Sequence, residues 1–419
     1  MSEKFTLRCG WCELGAPVDR LRCGACNGPL KVNVKLPPGR GLDLHDRRLP
    51  GLWSWFDLLP ISDRGAIVSL GEGRTPLVRS AHLHRTLGLA MLLFKDETRN
   101  PTGSFKDRML AVGVARAVEL GKKTVAVQSS GNVGAAAAAY AARAGLVAKI
   151  FVPRTAPDEK ILQAQMYGAD VFRVDHDSPA DIFELLEWAC EEFDWYLVST
   201  AALYNPFTLE GAKTIAYEIA EEMAFDLPDW MIVPVGGGGN IGSLWRGFLD
   251  LRALGLVDRL PRMVGVQAAG CAPFVDAVRL GLSPREALER RWPLIDTVAG
   301  AIADDLVFDA HVALPAVRES GGTAVAVSDA DTLAMQRTLA VSEGLFVEPA
   351  SATALAALPP LLAEGRIERH HRVLVLLTGT GLKDPAAARR LLRPVVRIPL
   401  DRQALAAAVG GPGGMTSAR

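Results

Sequence analysis

Between residues 124 and 377 short apolar runs alternate with longer helix-patterned stretches, and few folds accommodate that rhythm. Strands are predicted over 124–128, 148–152, 170–174 and 195–198, with helices over 133–143, from 157, and over 181–193 between them. The pattern resumes with a helix from 205 to about 223 and strands over 230–235, 263–267, 323–327 and 372–377. Helices over 241–254, 329–343 and 351–362 separate them, and 284–298 reads as irregular and partly helical. Strands alternating with helices imply parallel, doubly wound sheets. The prediction is an α/β protein with a smaller mobile domain over 101–204 and a larger one over 205–400. A connector over 36–100 begins the larger domain, and a tail over 401–419 follows, its glycine-rich end expected to be disordered.

A chain of 419 residues can bury cores of this size. Hydrophobic residues make up 49% and charged residues 22%, which excludes a disordered chain. The formal net charge of -1 gives no support for nucleic acid or an anionic membrane as a partner. No run approaches the roughly 20 apolar residues that span a bilayer, and the first residues lack a signal-peptide core. A cytoplasmic protein acting on a small molecule is the expectation.

Four of the six cysteines form two Cys-x-x-Cys pairs, Cys9/Cys12 and Cys23/Cys26. In a reducing compartment such pairs read as metal ligands rather than disulfides. Four thiolates close a tetrahedral zinc site with no open position, so the Zn2+ is structural and not catalytic. A zinc ribbon is predicted over 1–35.

The candidate chemistry starts at Lys106. An extended segment over 91–94 runs into a turn at Asn100-Pro101-Thr102-Gly103, and a helix begins near Ser104, whose hydroxyl is expected to cap it. A lysine in a first helical turn meets the positive end of the helix dipole. That field lowers its pKa, as suits a nucleophilic or imine-bound amine; alone, Lys106 would read as a surface lysine. Gly236-Gly237-Gly238-Gly239-Asn240 follows a predicted strand and opens a helix, the geometry in which backbone amides converge on an anion. Ser129-Ser130-Gly131-Asn132 joins strand to helix in the same way and suits a carboxylate; Asn132 as a simple N-cap is the alternative. Leu377-Thr378-Gly379-Thr380-Gly381 closes the second run of strands.

The string KDETRNPTGSFKDR, residues 95–108, resembles the Schiff-base segment of fold-type II pyridoxal-phosphate enzymes, most closely that of threonine synthases. Further stretches are similar to that family. Gly51-Leu52-Trp53-Ser54-Trp55 stands where the family has "GLWRY", and its aromatics read as packing anchors. Gly71-Glu72-Gly73-Arg74-Thr75-Pro76-Leu77 matches "GEGxTPL", and residues 377–384 match "LTGxGLKD". Glu348-Pro349-Ala350-Ser351-Ala352 matches a wall motif near the cofactor ring. The resemblance implies a fold-type II (tryptophan synthase β-like) homodimer with an N-terminal ribbon. It implies pyridoxal 5'-phosphate on Lys106, its phosphate held at Gly236, Gly237, Gly238, Gly239 and Asn240, its phenolic oxygen at Asn132 and its ring nitrogen at Thr378. Thr102, Ser129, Ser130, Gly131 and Asn132 would bind the substrate. The freed Lys106 amine would take the Cα proton; in a threonine synthase phosphate then leaves Cγ of O-phosphohomoserine and water adds at Cβ.

Two motifs differ. The family's "NPxRxEGQKT" is NPFTLEGAKT here, with Thr208 at the arginine position and Lys213 as the remaining candidate cation for the substrate. The family's "TVAxGIRIGNP" becomes residues 297–306, where Asp304 and Asp305 appear and the basic residue is absent. Threonine synthase chemistry is therefore one reading. The other is β-elimination or β-replacement on a serine- or threonine-like amino acid. A remote third is a non-enzymatic protein using its zinc ribbon as an interaction surface.

Overall fold

The structure is a computed structural model that describes residues 4–36, 45–176, 178–392 and 394–410. Part of the connector, 37–44, and the glycine-rich end, 411–419, lie outside the described residues. The chain forms two compact units, Met1–Asp384 and Pro385–Arg419. Among the described residues no helix is long and apolar enough to cross a membrane.

At the N-terminus β1 (Phe5–Cys9), β2 (Gly15–Ala16) and β3 (Leu30–Val34) form an antiparallel sheet in the order β2-β1-β3. Phe5 and Leu7 alternate with exposed residues and face inward, where the Phe5 ring meets Phe207 edge-on at 5.7 Å. Arg116 completes this seam by donating to the Val18 carbonyl at 2.8 Å and lying over the Phe5 and Phe207 rings.

Next come β4 (Leu77–Arg79) and β5 (Met91–Asp96). The chain then leaves to build a second sheet from β6 (Thr124–Gln128), β7 (Val147–Pro153), β8 (Asp170–Val174) and β9 (Tyr196–Leu197). Its order is β8-β7-β6-β9 and every pair is parallel. The chain returns through β10 (Trp230–Pro234), β11 (Arg262–Ala268), β12 (Thr323–Val327) and β13 (Arg372–Leu377). These join the first two in the order β12-β11-β10-β13-β5-β4, parallel except for the β4–β5 edge. The central strands β10 and β13 read as unbroken apolar runs because both faces are covered. Trp53, Trp55 and Phe56 are buried in the main core.

The alternation predicted the strands closely, and the departures are local. The helix expected over 351–362 is two helices, Pro349–Ala356 and Leu358–Ala363, because Pro359 and Pro360 cannot continue the first one. The helix Ala310–Glu319 was missed, its periodicity interrupted by Pro315.

One polar cluster holds the helix Lys106–Glu119 in place. Arg108 is fully buried; its Nε and Nη2 donate to Glu97 at 2.7 and 2.8 Å, and its Nη1 and Nη2 donate to Glu218 at 2.6 and 2.7 Å. Lys95 adds ion pairs to Glu218 at 3.0 Å and Glu222 at 3.1 Å. Burial alone would raise the Glu218 carboxyl, but Arg108 and Lys95 bring it down to about 2. The helix Thr208–Glu222 crosses the Lys106 helix at Gly211, where a Cβ would lie 2.0 Å from the Arg108 carbonyl. Only glycine permits that approach.

Removing the guanidinium leaves buried carboxylates without their counter-charge. Arg108→Ala is expected to cost about 3–5 kcal/mol of stability, read by denaturant unfolding; a loss below about 1 kcal/mol would contradict the assigned role of the cluster.

Candidate active site

Lys106 is the first residue of its helix, and the preceding Phe105 offers no side-chain cap. Ser104 does not cap either; its hydroxyl is buried without a partner. The segment is instead tied to the end of β13: Phe105 N–H donates to the Thr378 carbonyl at 2.9 Å, and Thr380 N–H donates to the Gly103 carbonyl at 3.0 Å. This lacing brings Lys106 and Thr378 together from distant parts of the chain.

Lys106 is half-buried, and its Nζ donates to Thr200 Oγ1 at 3.1 Å and approaches Met109 Sδ at 3.8 Å. Among the described residues no carboxylate lies within ion-pair distance of it. Burial lowers its pKa, while the more distant Asp304, Asp309 and Glu348 oppose the shift without cancelling it. The amine is therefore neutral over more of the pH range than that of an exposed lysine.

The glycine turn follows β10 and opens the helix Gly239–Ala253. Gly238 has φ +101°, a conformation that needs glycine, and the helix start has no side-chain cap. A Cβ at Gly236 would lie 2.6 Å from Asp304 Oδ2, and one at Gly239 would lie 2.6 Å from Asp309 Oδ2. Both polar atoms of the Asn240 side chain are buried without a partner among the described residues. A bare helix start with unpartnered Asn240 fits an anion. Asp304 and Asp309 border this turn. Burial raises the pKa of both acids, which lessens their repulsion of an anion.

Ser129, Ser130, Gly131 and Asn132 form a half-buried loop before the helix Asn132–Ala144, which likewise starts without a side-chain cap. Ser129 Oγ accepts the Gly131 N–H at 3.2 Å. Asn132 Nδ2 faces the Glu348 carboxylate at 3.2 and 3.3 Å. Thr378 Oγ1 lies 2.8 Å from Ser351 Oγ, which also accepts the N–H groups of Thr378 and Gly379.

Three residues expected to bind substrate have their polar atoms paired within the fold. The Thr102 hydroxyl donates to Asp107 at 3.0 Å and is buried. Thr208 is fully buried, its hydroxyl donating to the Ser199 carbonyl at 2.8 Å. Lys213 is buried and paired with Glu210 at 2.7 Å and Asp250 at 2.8 Å. Their polar atoms are committed to the scaffold. Sequence reasoning singled out neither Thr200 nor Asp309, and it read Glu348 and Ser351 only as parts of a supporting wall. Glu348 had a signal, the motif at 348–352, whereas Thr200 had none.

Beside the N-terminal sheet the ligand atoms of Cys9, Cys12, Cys23 and Cys26 lie within 4.8 Å of one another. Trp11 N–H and Cys12 N–H point at Cys9 Sγ at 3.3 and 3.5 Å. Four clustered thiols with amides aimed at sulfur fit a tetrahedral metal site.

Residues 68–379 match the family model of pyridoxal-phosphate dependent enzymes. The chain is 42% identical to threonine synthase of Methanocaldococcus jannaschii over 86% of its own length and 87% of that protein. It is 39% identical to threonine synthase of Methanosarcina acetivorans, covering 91% of this chain and 93% of that one. Among solved structures, maize serine racemase superposes with a TM-score of 0.64 at 24% identity, covering 76% of this chain and 91% of that one.

Burial pushes the Asp309 carboxyl up to about 7, so the folded protein keeps a proton that the unfolded chain releases near pH 4. The stability from this group is complete below about pH 4 and is lost as the pH rises toward 7. Asp309→Asn is expected to flatten part of the decline in stability between pH 4 and 7, seen in denaturation curves across that range. Asp107, also pushed up to about 7, keeps the remainder. An unchanged slope would show that Asp309 is ionised throughout.

Proposed function

The chain belongs to the pyridoxal-phosphate dependent enzymes and, within them, to the threonine synthase family, and from that premise we propose that it converts O-phosphohomoserine to threonine with Lys106 as the cofactor lysine. When bound, pyridoxal phosphate supplies an electron sink that acidifies the substrate Cα. The amide-lined turn Gly236–Gly239 with Asn240 holds the cofactor phosphate. Asn132 meets its phenolic oxygen, and Thr378, backed by Ser351, meets its ring nitrogen as a neutral hydroxyl. Ser129, Ser130 and Gly131 take the substrate carboxylate at the bare start of the helix Asn132–Ala144.

Lys106 Nζ removes the Cα proton. Its lowered pKa suits this role, since burial favours the neutral amine that can accept a proton. Phosphate leaves Cγ, and water adds at Cβ. Thr208 and Lys213 are committed elsewhere, so the cation proposed for the leaving phosphate is Lys383, which acts electrostatically on Glu348. Lys383 Nζ donates to Gln163 Oε1 at 2.8 Å. The observation that carries the reading is the half-buried Lys106 amine, with no ion-pair partner among the described residues, at a helix start laced to Thr378.

A second reading, β-elimination or β-replacement on a serine- or threonine-like substrate, is favoured by one observation. Asp304 borders the glycine turn and acts on Lys106 where the family carries a basic stretch. Phosphate release from O-phosphohomoserine decides between them. Turnover there with no ammonia from serine or threonine supports threonine synthesis, and the reverse supports the second reading.

The four cysteines are proposed to hold one structural Zn2+, supported by the cluster of four sulfurs. Thiols kept as ligands suit a reducing compartment, so the enzyme is proposed to be cytoplasmic. The homodimer rests on family resemblance and is read by light scattering.

Lys106→Ala is expected to abolish the near-violet absorbance of the holoenzyme and all turnover; persistence of that absorbance would move the cofactor to another lysine. Cys23→Ser is expected to lower zinc content from one per chain toward zero by metal analysis and to lower the thermal midpoint by several degrees. Full metal content in that variant would refute the four-cysteine site.

A further inference from the structure

The segment from Ser199 to Ala202 leads from β9 toward the helix Thr208–Glu222, and it is pinned on both sides. Thr208 Oγ1 donates to the Ser199 carbonyl at 2.8 Å. Asp309 Oδ1 accepts the Ala202 N–H at 2.6 Å. Within the segment, Ala201 N–H donates to Ser199 Oγ at 3.2 Å. The Thr200 carbonyl packs against the glycine turn, 3.4 Å from where a Gly239 Cβ would be. With its backbone fixed in this way, Thr200 presents Oγ1 to Lys106 Nζ at 3.1 Å. No other oxygen partner of that amine is present among the described residues.

We propose that Thr200 is a positioning residue for Lys106, its hydroxyl holding the ε-amine whenever that amine is not bonded to the cofactor, with Thr208 and Asp309 fixing Thr200 in turn. The inference rests on the reading of Lys106 as the cofactor lysine. It gives Thr208 a purpose: at this position the chain has a side chain that anchors the segment in front of the amine. A lysine amine swings on a flexible four-carbon stem and needs an anchor to meet a proton at a fixed place.

The hydroxyl also biases the charge of the amine. A hydrogen bond from an ammonium is stronger than one involving a neutral amine, so Thr200 favours the charged form. The other titratable groups acting on Lys106 are Asp304 and Asp309, from the connection before the helix Ala310–Glu319, and Glu348. All three stay in place when only Thr200 is changed.

The test uses the full chain stripped of cofactor and reloaded with pyridoxal phosphate at a series of pH values. Capture joins the amine nitrogen to the aldehyde carbon with loss of one water and is followed by near-violet absorbance. The rate depends on the neutral amine, so its pH midpoint reports the Lys106 pKa. In Thr200→Val, similar in shape without the hydroxyl, the midpoint is expected to move down by about one pH unit. Thr200→Ser, which keeps the hydroxyl, is expected to stay within a few tenths of the unsubstituted protein. The proposal is overturned if the valine variant keeps the original midpoint, or if the serine variant shifts as far as valine. Lys106→Ala separates the two layers: absorbance that persists there refutes the lysine reading itself, while absorbance lost there with Thr200→Val unshifted refutes only the role of Thr200.

Discussion

The buried guanidinium of Arg108, gripped by Glu97 on one side and Glu218 on the other, ties together the end of β5, the helix Lys106–Glu119 and the helix Thr208–Glu222. Arg108 lies two residues from Lys106, half a turn along the same helix, so whatever fixes one fixes the other. A buried ion cluster is weak evidence of added stability, because hydrophobic residues of similar shape often serve as well. Its value here is geometric. A planar fork that satisfies two carboxylates has little freedom, and it sets the rotation of the helix that aims Lys106. Gly211 allows the second helix close enough for Glu218 to reach.

Around the amine, charge is managed by burial more than by pairing. Among the described residues Lys106 has no close counter-ion, and desolvation lowers its pKa against three acids that pull the other way. The same burial raises Asp304 and Asp309, the two acids that border the glycine turn, which weakens their opposition to an anion there. Two helix starts without side-chain caps, at Asn132 and Gly239, face this region with free backbone donors. Donors at a buried helix start without a cap need a partner, and a ligand can supply it.

The change at Thr208 shows how a motif can be read too literally. At that position the family carries an arginine thought of as a substrate contact, so threonine there suggested a lost binding group. In the fold its hydroxyl is turned to the backbone, anchoring the segment that carries Thr200. Lys213, one turn on, belongs to a buried cluster with Glu210, Asp250 and Arg246. A residue's role follows the partner it can reach, and spacing along the chain does not report that partner.

Much of this protein was legible before any fold was known. Alternating apolar runs gave the parallel strands nearly residue by residue, as in 170–174, 323–327 and 372–377, because strand and helix periods are local properties of the chain. The cysteine pairs, the glycine turn and Lys106 at a helix start were also readable, since each is a short-range pattern with its own physical signature. Thr200 against Lys106 was not readable: 94 residues separate them, and an isolated threonine carries no pattern. Neither was Asn132 against Glu348, at a separation of 216 residues. The sequence determined which groups were available and which local shapes they could take. Only the tertiary structure decided which of them meet and which are buried, because partner and desolvation are set by packing between segments far apart in the chain.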